Sequence, residues 1–220
     1  MSIKTNLLKI KSQIPENVTL VAVSKTKPIA DLMEAYNAGQ RVFGENKIQE
    51  MTEKWESMPK DIQWQMIGHV QTNKVKFMAE YVNLIHGVDS LKLLEEIDKQ
   101  AKKHNRIIDC LLQIHIAEEE TKFGLNEQEL NEILTSETFK NLKNIQIVGL
   151  MGMATFTDNQ SQIKKEFQNL KTIFNRLIEQ PTTHNLQPTT LSMGMSGDYQ
   201  LAIDCGSTMV RIGSSIFGTR

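Results

Sequence analysis

Eight short runs rich in β-branched residues, separated by helical stretches, leave this chain very few folds to choose from. The runs are TLVAVS (19–24), RVFG (41–44), IQWQMIG (62–68), YVNLIHGV (81–88), IIDCLLQIHI (107–116), IQIVGLM (145–151), TTLSM (189–193) and TMVRIG (208–213). Between them the apolar period changes to that of a helix. Ser90 precedes a stretch in which Leu94, Ile97 and Ala101 recur on one face, and Asn126 with Glu129 has the spacing of a capping box. Ile163, Phe167, Leu170, Phe174 and Leu177 form one long stripe that stops before Pro181. Alternation of this kind builds parallel βαβ units. Right-handed crossovers then allow an open doubly wound sheet or a closed (β/α)8 TIM barrel, and the count of eight predicts the barrel.

A chain of 220 residues, 40% hydrophobic, suits a single domain spanning 1–220. It is lean beside the ~250 residues usual for such barrels. Ile3, Leu7, Ile10 and Ile14 predict an amphipathic helix over 2–14, ended by Pro15. The segment after the last strand, SSIFGTR, is too short for a full helix, so residues 1–16 are expected to fill that gap in the outer ring. The formal net charge is −1, which supplies no electrostatic reason to expect a nucleic-acid partner. Cys110 and Cys205 lie far apart without CxxC spacing, which points to a reducing compartment. No apolar run has signal-peptide form or the ~18 residues needed to cross a bilayer. The expectation is a cytoplasmic protein without a membrane partner.

The chemistry starts at the end of the first run. Val21, Val23 and Lys25 share one strand parity, so a barrel would aim Lys25 at its mouth, where such barrels build their sites. Partial desolvation there favours a neutral, nucleophilic amine suited to Schiff-base chemistry. The competing reading is a strand-end lysine that reaches solvent, and Lys27 is as available as Lys25. At the other end of the chain, GMSGD follows strand 7 and leads into a helix from about Asp198. Gly213, Ser214 and Ser215 follow strand 8. Barrels bind phosphate with these two loops, through free amides and helix N-termini, although Gly and Ser also serve as ordinary turn residues. Arg211 lies inside the last run and, if buried, needs an acceptor: a carboxylate of the barrel, or a ligand oxygen or ring nitrogen. Asn46 and His69 follow strands 2 and 3 and would face a ligand or satisfy loop backbone. The other histidines show no metal-ligand spacing, and no nucleophile elbow supports a serine hydrolase.

Taken in order and spacing, VAVSKTKP, FGENKIQE, IGHVQTNK, ETKFGL, GLMGMAT, LSMGMSGDYQLAI and GSTMVRIGSSIFG resemble the pyridoxal phosphate homeostasis protein family, from about residue 18 onward. The resemblance implies a barrel of the alanine racemase N-terminal type with pyridoxal phosphate as cofactor. It implies Lys25 as the Schiff-base lysine, Ser196, Gly213 and Ser214 as phosphate-holding positions, Arg211 facing the pyridine nitrogen, and Asn46 lining the pocket. Lys122 matches a second lysine proposed to help move the cofactor. Gly152 and Thr155 depart from residues frequent in relatives and are expected to lie away from the cradle. The function implied is maintenance of cellular pyridoxal phosphate, with delivery to apoenzymes, rather than amino-acid chemistry. An arginine at the ring nitrogen weakens the electron sink, and Tyr36, Tyr81 and Tyr199 match no racemase base. No catalytic residue and no metal are expected. The rival readings are a small racemase and an interaction protein that senses the cofactor.

Overall fold

In the computed structural model, which describes residues 2–119, 123–180 and 183–218, eight parallel strands close into a barrel in chain order. They are β1 Thr19–Val23, β2 Val42–Glu45, β3 Gln63–Met66, β4 Leu84–Val88, β5 Ile108–Gln113, β6 Ile145–Met151, β7 Leu186–Ser192 and β8 Met209–Ile212. Each coincides with or overlaps its expected run, β7 starting three residues early, and the barrel is the closed alternative of the two. Outside them lie α1 Ile3–Lys11, α2 Ile29–Asn37, α3 Ile48–Ser57, α4 Leu91–Lys103, α5 Glu127–Thr135, α6 Glu137–Asn141, α7 Gln160–Ile178, α8 Tyr199–Asp204 and α9 Ser214–Phe217. Between β3 and β4 the crossover is only a 3-10 helix, Thr72–Phe77.

Strand alternation sorts the side chains into two cores. On β1, Leu20 and Ala22 join the large layer between sheet and helices, while Val21 joins Leu84, Leu111, Met151 and Met209 inside the barrel. Two helices carry the caps expected of them. Ser90 accepts from the Leu93 amide, and Asn126 and Glu129 form a reciprocal capping box. The stripe of α7 is buried from Ile163 to Leu177. Helix α1 ends at Lys11, earlier than expected. Ile14 precedes Pro15 and is steered away from helical backbone, so the turn is closed by Gln13 and Ile14 amides on Ile10 and Lys11 carbonyls. Leu7 and Ile10 bury against α2 and α9, and Asn6 Nδ2 donates to the Ile216 carbonyl at 3.1 Å.

Simple alternation fails on β6. Ile145 and Ile147 face the helices, as does Leu150, whereas Val148 and Met151 face inward. One extra residue has been inserted relative to β5, where pairing jumps from Cys110↔Ile147 to Leu111↔Gly149; on the other side β7 carries the surplus, from Ile147↔Leu186 to Gly149↔Thr190. Gly149 sits at φ 152°, and a Cβ there would collide with the Thr190 carbonyl. Gly149→Ala should therefore destabilise the fold by about 3 kcal/mol or more. A urea unfolding midpoint equal to that of the parent chain would show that the bulge tolerates a side chain.

Candidate functional site

At the carboxyl end of the strands a cavity of about 580 Å³ opens, and it gathers residues from both ends of the chain. Lys25, Asn46, Ser196, Arg211, Gly213 and Ser214 all line it, so the six positions singled out in the sequence meet in one place. The size falls within the ~300–1,000 Å³ usual for small-molecule pockets. Val23, Ile67, Met153 and Ile163 supply an apolar wall. Lys122 lies outside the described residues. His69 does not line the cavity: its ring stacks on Phe123 with centroids 4.4 Å apart, and its Nδ1 stands 3.4 Å from Asp89.

Lys25 sits two residues past β1, half-buried, in the turn between Ser24 and Thr26. Lys27 lines the same cavity, but its Nζ donates to the Phe217 carbonyl at 3.0 Å and so ties this turn to α9. The turn is fastened from its helix-facing side by a network that sequence reasoning missed. Buried Lys54 of α3 donates to the Ser24 carbonyl at 2.8 Å, and to Glu45 Oε1 and Glu50 Oε1 at 2.7 Å each. The signal was present: Ile48, Met51 and Lys54 are spaced as one inward row of α3.

The two C-terminal loops are joined, since the Gly213 amide donates to Ser196 Oγ at 3.3 Å. A Cβ on Gly213 would lie 3.0 Å from the Val23 carbonyl, so the close approach of the β1 and β8 ends calls for glycine there. Among the described residues, the amides of Ser196, Gly197, Ser214 and Ser215 have no acceptor. Helices α8 and α9 are six and four residues long, so the anion-attracting field comes from individual amides and hydroxyls rather than from a long helix dipole. Asp198 stands at the lip, accepting from the Met195 amide at 2.6 Å. Burial raises its pKa, while the Met195 bond and the charge of Arg211 oppose the rise.

Arg211 is buried and has no carboxylate partner among the described residues, so the ordinary partner considered for it is absent there. Its guanidinium donates instead to the Ser192 carbonyl and Oγ and to the Gly152 carbonyl, the two carbonyl bonds both 3.0 Å. Burial pushes its pKa down to about 10, which still leaves it charged at neutral pH. Gly152 thus touches the site through its carbonyl, and Thr155 lines the cavity, contrary to the expectation that both lie away from it. Thr155 is anchored by Glu166, which accepts its amide and its hydroxyl at 2.7 Å each.

Beneath Arg211, buried His86 links Gln65 to Ser192. Its Nε2 donates to Gln65 Oε1 at 2.7 Å, which leaves Nδ1 to accept from Ser192 Oγ at 3.2 Å. Ser192 Oγ can then accept from Arg211. Burial, and next the Arg211 charge, hold the His86 pKa well below the usual histidine range. The proton that folded His86 refuses is taken up by the unfolded chain below pH ~6.5. Stability from this group is therefore full above that pH and is lost as pH falls toward the depressed folded pKa, by up to about 1.4 kcal/mol per pH unit. Urea titrations between pH 7.5 and 5 should show this slope, and His86→Gln should flatten it. Identical slopes in the two proteins would assign the titration elsewhere.

Comparison with known proteins adds three findings. The family described as "Alanine racemase, N-terminal domain" matches residues 1–220. The pyridoxal phosphate homeostasis proteins of Aquifex aeolicus and Haemophilus influenzae are each 38% identical to this chain; the matches cover 91% and 100% of it, and 86% and 97% of those proteins. The structure of PipY of Synechococcus elongatus, with PLP bound, superposes with a TM-score of 0.89 at 35% identity, covering 99% of this chain and 100% of that one.

Proposed function

Since the chain belongs to the pyridoxal phosphate homeostasis protein family, within the alanine racemase N-terminal domains, we propose that it binds pyridoxal phosphate at the mouth of its barrel and maintains the cellular supply of that cofactor. The observation that carries this reading is the convergence of an amine, a buried guanidinium and unpaired loop amides on one cavity. The donor set fits the group part by part. Amides and hydroxyls of Ser196, Gly197, Ser214 and Ser215 suit a phosphate, Arg211 suits a ring nitrogen acceptor, and Val23, Ile67, Met153 and Ile163 suit an aromatic ring. When bound, the cofactor supplies an aldehyde that condenses reversibly with a primary amine.

Lys25 would offer that amine. Arg211 would present a permanent donor to the pyridine nitrogen and disfavour protonation there, which withholds the electron sink needed for amino-acid chemistry. The tyrosines are engaged elsewhere: Tyr36 donates to Asp61, Tyr81 pairs with Thr52, and Tyr199 donates to Gln13. Among the described residues, no tyrosine, histidine or cysteine lines the cavity. These features support a carrier and regulator rather than a racemase, since racemisation needs acid–base groups on both faces of the substrate. Reversible capture would also let the protein hand the cofactor to apoenzymes in the cytoplasm. No described helix is long and apolar enough to cross a membrane.

Purified protein given pyridoxal phosphate should turn yellow, and borohydride should fix the cofactor mass on Lys25. Lys25→Ala should lose both properties. A parent chain that stays colourless with added cofactor would defeat the reading. Incubated with L- or D-alanine in deuterated water, the loaded protein should leave the α-hydrogen in place. Rapid exchange abolished by Lys25→Ala would establish the racemase instead.

A further inference from the structure

We propose that Lys54 is a positioning residue for Lys25, an inference that rests on the pyridoxal phosphate reading of the cavity. Lys54 does not line the cavity; it lies on its helix-facing side with 5% of its surface exposed. An ammonium has three N–H groups, and here they meet three acceptors: the Ser24 carbonyl, Glu45 Oε1 and Glu50 Oε1. Those acceptors are in turn bonded to the residues on either side of Lys25. The Ser24 hydroxyl donates to Glu45 Oε1 at 2.6 Å, and the Thr26 amide donates to Glu50 Oε1 at 2.6 Å. Thr26 is held at φ 63°, a left-handed conformation that a β-branched residue does not adopt unaided. The same Glu45 precedes Asn46, another cavity residue. One buried ammonium therefore fixes the turn of β1 and the end of β2 relative to each other.

Three features mark this as placement of the amine rather than general reinforcement. A buried ion pair is weak evidence for stability, because apolar residues of similar size often replace one without loss. Burial raises the Glu45 pKa, against the opposing pull of the Lys54 bond, and Glu45 Oε2 has no donor, so this network is not optimised for stability. Its bonds converge on the two residues flanking Lys25. With the turn released, Lys27, which lines the same cavity, becomes a competing amine.

The test compares the parent chain with Lys54→Met, Lys54→Met/Glu45→Leu, Glu45→Gln and Lys25→Ala. Stopped-flow absorbance follows capture of added pyridoxal phosphate across pH, circular dichroism gives the thermal midpoint, and peptide fragmentation after borohydride locates the fixed mass. Lys54→Met should slow capture by about 10- to 100-fold, shift its pH profile, and spread the fixed mass from Lys25 to Lys27. The double variant, relieved of the unpaired Glu45 carboxylate, should recover the thermal midpoint without recovering capture. Glu45→Gln keeps an acceptor for both Ser24 and Lys54 and should capture at nearly the parent rate. A folded single or double variant that captures at the parent rate, with mass on Lys25 alone, overturns the inference and leaves the pyridoxal phosphate reading standing. Failure of the parent chain to bind, or equal binding by Lys25→Ala, removes that reading and this inference with it.

Discussion

The site exists because β1 pairs with β8. Val21 lies opposite Arg211 and Ala22 opposite Ile212, so the next residues outward, Val23 and Gly213, are forced into contact. That pairing carries Lys25 to the two loops that begin near residues 194 and 213, although they are separated by most of the chain. An open sheet with the same strands would leave the lysine at one end and the loop amides at another. Closure also explains why the outer ring can be thin at this seam. Helix α9 has only four residues, and α1 covers it with Leu7 and Ile10 while Asn6 caps the Ile216 carbonyl.

Closure puts charged groups where water is excluded, and the chain handles the two buried cations in different ways. Lys54 is neutralised by carboxylates and its hydrogen-bonding capacity is used inside the protein. Arg211 is hydrogen-bonded only to neutral groups, of Ser192 and Gly152, with the Asp198 charge acting on it without an ion pair, and its neighbour His86 is kept neutral, so no second cation competes with it. A buried cation hydrogen-bonded only to neutral groups leaves a positive potential that an anionic or acceptor ligand would relieve. On the proposed reading, binding and folding would be coupled by that relief, because a ligand that meets Arg211 only in the folded chain stabilises it by mass action.

Much of this was legible in the sequence, for a physical reason that also marks the limit. Alternation depends on local period, so the eight strands, the caps at Ser90 and Asn126, and the inward parity of Val21, Val23 and Lys25 could be read residue by residue. The choice between Lys25 and Lys27 could not be made locally. Both line the cavity, and the bond from Lys27 to the Phe217 carbonyl joins residues remote in sequence. Bulges are invisible to a period: Val148 adds one residue to β6 relative to β5 and reverses the parity beyond it. The anchoring of Thr155 by Glu166, and of Ser24 by Lys54, are tertiary facts of the same kind. Lys54 continues the inward row of Ile48 and Met51, but what its ammonium bonds to is set only when the β2 end is placed beneath it.

The division of polar groups around the cavity bears on why such a barrel would hold a cofactor and do little with it. On the proposed reading the groups singled out would meet a phosphate, a ring nitrogen and an aldehyde, which are features of the cofactor itself. The wall formed by Ile67, Met153 and Ile163 offers no proton donor or acceptor. Phe156, 91% exposed at the cavity edge, carries no acid–base function either. Of the acidic residues in the lining, Asp198 is committed to the Met195 amide and Asp158 is exposed. On that reading the directed interactions would serve ground-state binding, and interactions equal in ground and transition state do not accelerate chemistry. On the proposed reading the site would supply reversible retention, in which the loop amides and Arg211 would set how tightly the ligand is held and Lys25 how readily it leaves.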